Sequence, residues 1–249
     1  MRLYRQNKPM WRILFVLIAV VLARPDLAAG VCLEPNPPRV CTEFFTSQLV
    51  FVGTVISDRY LAEGLPDRDP GWVYDLSVTK MYRGPQRARL QVYTEDNSAR
   101  FPLEVGHSYL LFASETTGMS EIYGCGNSAE VDSATPSVIA EIQKTMNAMR
   151  PGAGGDISGR ITELYGYGPE SMEGIAVSAE NGQRTYRAIS SSDGSFRIHV
   201  PAGRYRVKAA SPSLHIFPYD LTYYNPGYVP IEDGGCAEVV FNAFPLKPR

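Results

Sequence analysis

The side chains here with the most chemical potential are three histidines, four cysteines and one acidic loop. His107, His199 and His215 fall in three separate segments, so none has a partner at the spacing of a metal-binding pair such as HExxH. The chain also lacks GxSxG, a phosphate loop and a dinucleotide fingerprint. Glu63, Asp67 and Asp69 bring together oxygens of the kind a hard cation takes. That loop has no glycine-hinged series of ligands, and it reads as a solvated acidic loop. The residue types therefore point to no catalytic set, no metal and no cofactor. His199 is expected on the solvent face of a strand.

The aromatic stretch "HIFPYDLTYYNPGYVPI", 215–231, points instead to recognition. Tyr219, Tyr223, Tyr224 and Tyr228 crowd around an Asn-Pro-Gly turn. A tyrosine has an apolar face and a polar rim, and it suits surfaces that stack on a sugar ring or a peptide. The competing reading is that two of these rings fill a core and the others brace the turn. A binding role requires at least two of them exposed on one surface.

The cysteines and the first residues indicate a compartment. Arg2, Arg5, Lys8 and Arg12 precede the apolar run "ILFVLIAVVLA", 13–23, and "LAAG" follows at 27–30. This is the order of a secretory signal peptide, 1–30, with Ala28 at −3 and Gly30 at −1 of the expected cleavage. The run falls short of the roughly 20 residues a membrane span needs, so an uncleaved anchor fits less well. A lipoprotein fits less well again, because Val31 is too large for the position before Cys32. Removing 1–30 takes away five basic residues and one acid, leaving 19 Lys+Arg against 25 Asp+Glu, a net charge of −6. No basic run survives, which argues against nucleic acid as a partner. Cys32, Cys41, Cys125 and Cys236 all lie in the exported part, an even number that suggests two disulfides. Without a CxxC they do not suggest a zinc ribbon, and three pairings are open. Cys236 either pairs with Cys32, tying the two halves together, or stays a buried thiol.

The elements expected to position these groups are mostly strands. "LVFVGTVIS" (49–57), "WVYDLSVTKMY" (72–82), "RLQVYT" (89–94) and "SYLLFAS" (108–114) are bounded by turn residues. With a short segment near "CTEFFTS" they suit a small OB-type barrel. A helix over 135–149 closes it, with Thr135 as cap and Val138, Ile139, Ile142 and Met146 on one apolar face. "PGAGG", 151–155, breaks the chain. Beyond it come seven short strands: 157–164, 174–180, 184–190, 195–200, 204–210, a piece at 219–224, and 237–244. Asp193-Gly194 suits a tight hairpin turn, after which Phe196, Ile198 and Val200 share a face opposite Arg197 and His199.

Two resemblances rest on these residues. "ISGRITE…MEGIAVSAE…SSDGSFRIHVPAGRYRVKAASP" resembles the carboxypeptidase regulatory-like domain, a transthyretin-like β-sandwich. Gly159, Ile161, Gly174, Val177, Asp193, Gly194, Phe196, Pro201, Gly203, Tyr205 and Val207 carry it. The resemblance implies a non-catalytic module appended to exported proteins. The first half is similar, over a sparser set, to the netrin-like fold of tissue inhibitors of metalloproteinases. Phe51, Gly53, Gly106, Tyr109, Leu111, Cys125 and Gly126 carry that likeness. It implies a disulfide-stapled OB-type barrel with a short helix before its first strand, and Cys125 bonded to Cys41 or Cys32.

Those inhibitors grip the protease zinc through a free N-terminal cysteine in a Cys-x-Cys pair. Here eight residues separate Cys32 from Cys41, and the expected cleavage leaves Val31 in front. The expectation is therefore a mainly β protein, exported to the periplasm, the cell surface or the medium. An OB-type barrel with a closing α-helix fills 31–150, a linker 151–155, and a seven-stranded antiparallel β-sandwich 156–249. Its expected role is non-catalytic binding of an extracytoplasmic protein or carbohydrate, with no stable membrane span after cleavage. The alternatives are metalloprotease inhibition through Cys32 and a structural place in a surface assembly.

Overall fold

A computed structural model describes residues 38–66, 68–116, 118–132, 135–163, 172–219 and 228–246. The chain is mainly β, with 52% strand and 11% helix. Among the described residues, no helix is long and apolar enough to cross a membrane.

The first half is a closed five-strand barrel. Its strands are β1 (Leu49–Leu61), β2 (Gly71–Arg83), β3 (Arg89–Glu95), β4 (Ser108–Thr116) and β5 (Met119–Glu121). They pair in the order β1-β2-β3-β5-β4, and β4 returns to β1 to close the ring. β3–β5 is the parallel pair, and a two-residue β6 (Ala129–Glu130) adds to β4. The unbroken apolar run at the start of β1 is explained by burial on both faces. Leu49, Phe51 and Val55 enter the barrel core, whereas Val50 and Val52 lie under two helices outside it. Those helices are α1 (Val40–Thr46) and α2 (Thr135–Ala148). Three register shifts along β1–β2, one of them at Val52/Gly53, curl the strand enough to close the ring.

α2 departs from its expected face in one respect. Ile142 is buried and Val138 and Ile139 pack on the same cluster, but Met146 is 39% exposed and Thr145 is buried instead. Thr135 hydrogen bonds backwards, donating from its hydroxyl to Glu130 O and accepting the Asp132 N–H, which fastens the helix start to β6.

The second half holds eight described strands rather than seven. β7 (Gly155–Glu163), β10 (Ser195–Val200), β12 (Leu214–Pro218) and β14 (Cys236–Pro245) form one sheet in the order β10-β7-β14-β12. β8 (Ala176–Glu180), β9 (Thr185–Ile189), β11 (Gly203–Ala210) and β13 (Val229–Ile231) form another, in the order β13-β11-β8-β9. One apolar cluster joins them, with Ile161, Phe196, Ile198 and Phe241 from the first sheet and Val177, Ala179 and Tyr205 from the second. The pairing is not wholly antiparallel, because β7 and β14 run parallel. Asp193-Gly194 is not a hairpin turn either. β10 pairs with β7 and β9 with β8, so this turn carries the chain from one sheet to the other. Asp193 fixes the corner by accepting the Ser195 N–H and the Ser191 hydroxyl, and Gly194 takes φ 78°. Pro201–Gly203 makes the next crossing, held by the buried Tyr205, whose hydroxyl donates to Pro201 O at 2.8 Å.

The two halves are fastened at a turn just before β14. Cys41 of α1 is disulfide-bonded to Cys236, 195 residues away. Arg83 pairs with Glu232 at 2.9 Å, and the Asp233 carboxylate accepts the Gly152 and Gly154 N–H groups of the expected linker. Gly155, placed in that linker from sequence, already belongs to β7. Cys236 is thus neither a buried thiol nor the partner of Cys32, because its bridge runs to Cys41. That bridge also removes Cys41 as a partner for Cys125, which is itself disulfide-bonded.

Two outcomes follow from this packing. A Cβ on Gly159 would lie 1.7 Å from Val239 O in the parallel ladder, whereas one on Gly203 would meet nothing closer than 3.4 Å. Gly159→Ala is expected to cost about 3 kcal/mol and Gly203→Ala under about 1 kcal/mol, read from urea midpoints; equal costs would refute the packing account. Loss of the 195-residue bridge removes up to about 5 kcal/mol in the chain-entropy account. Cys41→Ser with Cys236→Ser is expected to lower stability by about 2–4 kcal/mol, and an unchanged melt would show that the bridge adds nothing.

Candidate functional site

The three histidines stay apart. His107 Nδ1 lies 2.6 Å from Glu130 and its Nε2 3.7 Å from Glu104, and the Glu130 hydrogen bond raises its pKa. His199 extends from the solvent face of β10, as expected, and its Nδ1 meets Asp156 at 3.1 Å. His215 of β12 lies tilted against the rings of Phe217 on the same strand and Phe244 on β14. Each ring has its own partner, and no group of three potential metal ligands gathers among the described residues. Glu63 and Asp69 of the acidic loop after β1 line a pocket of about 690 Å³ together with Glu95 at the end of β3. A cation already reaches into it: Arg68 lies 3.1 Å from Glu121 and 3.9 Å from Glu95. Asp67 lies outside the described residues.

Glu43 of α1 is the most enclosed carboxyl with a shifted pKa. Burial raises its pKa, although the Asn127 N–H and side-chain amide both donate to it at 2.6 Å and oppose the shift. Gly126 adjoins the pair closely: a Cβ there would fall 2.0 Å from the Glu43 carboxylate and displace it. The group joins α1 to the turn after Cys125. Its role is positional.

The tyrosine cluster divides between the two sheets. Tyr219 follows β12 and is 37% exposed, its N–H donating to Val240 O. Tyr228 precedes β13 in the other sheet, where Arg204 and Arg206 lie over its ring at 5.7 and 5.1 Å. Tyr223 and Tyr224 lie outside the described residues, as does Cys32, the candidate inhibitory residue. Tyr219 and Tyr228 therefore flank strands of different sheets, and the expectation of at least two tyrosines exposed on one surface falls partly on residues outside the described ones.

What adjoins Tyr219 is a set of rings that the sequence reading passed over. His215 and Phe217 alternate along β12, and Phe244 of β14 stands opposite His215 in register. Ring centroids lie 4.8 Å apart for His215–Phe244, 5.8 Å for His215–Phe217 and 6.1 Å for Phe217–Phe244. They occupy the side of the sheet away from its core, where Ile216 and Ala243 point inward. Phe244 is 36% exposed, and Leu246, just past the end of the same strand, is exposed too. The signal was the period-two pattern in "LHIFPY", which places His215, Phe217 and Tyr219 on one side of a strand. No family model matches the chain, and no curated protein matches it.

The Glu43 shift fixes a pH dependence. A carboxyl whose pKa is higher folded than unfolded stabilises the fold below its ordinary value of 4.5, and loses that contribution as pH rises through the folded value. Melting temperature measured upward from pH 4 is expected to fall more steeply in the native chain than in Glu43→Gln, which retains an acceptor for Asn127. Parallel profiles would place the titration elsewhere.

Proposed function

We propose that this chain is an exported, non-catalytic binding protein that recognises a protein or carbohydrate outside the cytoplasm. The observation that carries this reading is the open aromatic face of β12 and β14. Three rings contact one another on the outer side of a sheet, next to an exposed tyrosine. Burying such rings against a ligand gives large contact area at little loss of side-chain freedom. Two disulfide-bonded cysteines at Cys41 and Cys236 fit an oxidising compartment and therefore an exported chain.

The domain readings belong to the same proposal. The closed order β1-β2-β3-β5-β4 supports an OB-type, netrin-like barrel with α2 packed on its wall. Two sheets around one apolar cluster, crossed at Asp193-Gly194 and at Pro201–Gly203, support a β-sandwich of the carboxypeptidase regulatory-like kind. In such a frame the strands are scaffold and the outer faces carry recognition.

The test uses the chain as it is exported, coupled as bait and exposed to cross-linked material from the native exterior. A ligand is expected to be retained by the native bait and to drop at least about tenfold with Phe217→Ala and Phe244→Ala together. Equal retention by both baits would remove the β12–β14 face from the reading.

A further inference from the structure

The outer side of the other sheet has a different character. Arg204, Arg206 and Lys208 alternate along β11 and are all exposed. In register, Lys208 is opposite Ser178 of β8, and Ser178 is opposite the exposed Arg187 of β9. Among the described residues, four cations thus share one sheet face with a single acid, Glu180, which Lys208 already engages at 2.7 Å. The chain as a whole carries a net charge of −2, so this face opposes the sign of the molecule.

The two arginines are held in place. Tyr228 lies under both guanidiniums, at 5.7 Å from Arg204 and 5.1 Å from Arg206, and Arg206 Nη2 donates to its hydroxyl at 3.4 Å. Like charges on alternate residues of a strand, roughly 6.8 Å apart, repel one another. An aromatic ring that attracts both offsets this repulsion and fixes their separation. Fixed guanidinium forks are suited to paired oxygens such as carboxylate and sulfate.

We propose that the outer face of β11, β8 and β9 is a docking surface for an acidic polysaccharide, with Arg204, Arg206 and Lys208 pairing with its repeated anionic groups. Charge complementarity and even spacing carry this assignment. A protein partner would call for an apolar centre to the patch, and the arginine-covered Tyr228 ring does not supply one. An anionic membrane would call for apolar side chains reaching past the charges. Among the described residues of this face only Ile189, 64% exposed, has that character, and its row neighbours in register are Ala176 and Ala210. The proposal does not depend on the β12–β14 face, which belongs to the other sheet.

The experiment titrates the exported chain with heparin and polygalacturonate as polyanions and with dextran as the neutral glycan. Phosphatidylglycerol vesicles and poly-glutamate serve as the rival anions. Both polyanions are expected to bind, dextran not to bind, and affinity to fall as salt rises. Removing three charges as Arg204→Gln, Arg206→Gln and Lys208→Gln is expected to weaken binding by about tenfold or more. Removing three charges elsewhere, as Arg59→Gln, Arg87→Gln and Lys144→Gln, is expected to leave it unchanged. Tyr228→Ala keeps the net charge and is expected to weaken binding by about threefold, because it releases the two arginines. Arg187→Glu, on a different strand, provides an independent loss should the triple variant fail to fold. The proposal is overturned if the polyanions fail to bind, or if the triple variant and Arg187→Glu bind them as the native chain does. It is also overturned if vesicles or poly-glutamate bind more tightly than the polysaccharides through these same side chains. If Phe217→Ala with Phe244→Ala leaves polyanion binding intact, the two surfaces are independent.

Discussion

Cys41 and Cys236 are separated by 195 residues in the chain and by 6.0 Å between their Cα atoms. The helix that carries Cys41 is only seven residues long, too short to persist alone. It is held from three sides. Val40 and Phe44 pack with Val50, Leu110 and Phe112 on the barrel wall, and with Ile142 of α2. Glu43 accepts the Asn127 amide groups next to the Cys125 disulfide. The covalent bond to Cys236 then sets where β14 begins, and β14 is a central strand of its sheet. One short helix therefore couples the barrel's outer wall to the middle of the second half.

The coupling extends through the residues just before β14. Glu232 answers Arg83 of the barrel, and Asp233 accepts the backbone of the glycine-rich stretch after α2. Gly234 lies so close to the end of α2 that a Cβ would be 2.5 Å from Ala148 backbone atoms. A sequence such as "PGAGG" carries a large entropy cost for ordering. Here two hydrogen bonds to a single carboxylate and the nearby disulfide offset that cost, so a stretch that reads as a free linker is tied down.

Much of the framework was legible in the residues. β10 begins and ends where alternation places it, at 195–200, and β1 to β4 extend beyond their predicted limits by a few residues at most. Apolar alternation reports burial directly, which is why these elements were readable. Three features were not. Partner choice is a long-range property, so Asp193-Gly194 reads as a hairpin although its flanking strands join different sheets. β12 carries half-buried residues and a terminal proline, so its strand character is faint in composition. The cysteine pairing depends on where α1 docks, which no spacing encodes. The candidate site shares these limits: Tyr219 and Tyr228 are close in sequence but flank strands of different sheets, and the rings beside Tyr219 come partly from β14.

The division of side chains between the two sheets bears on what the second half does. Both outer faces have identical pleats and the same two-residue period, so backbone geometry does not distinguish them. Side-chain chemistry does. The β12–β14 side gathers His215, Phe217 and Phe244, rings that remove apolar area from water when a ligand covers them. The β11–β8–β9 side gathers Arg187, Arg204, Arg206 and Lys208, groups that favour charge over contact area. Among the described residues, Tyr228 is the one aromatic ring placed against that basic row, and guanidiniums cover it. A tyrosine so occupied orders cations and leaves stacking to the other face. Exposed aromatic area and exposed positive charge are thereby kept on separate sheets around one shared core.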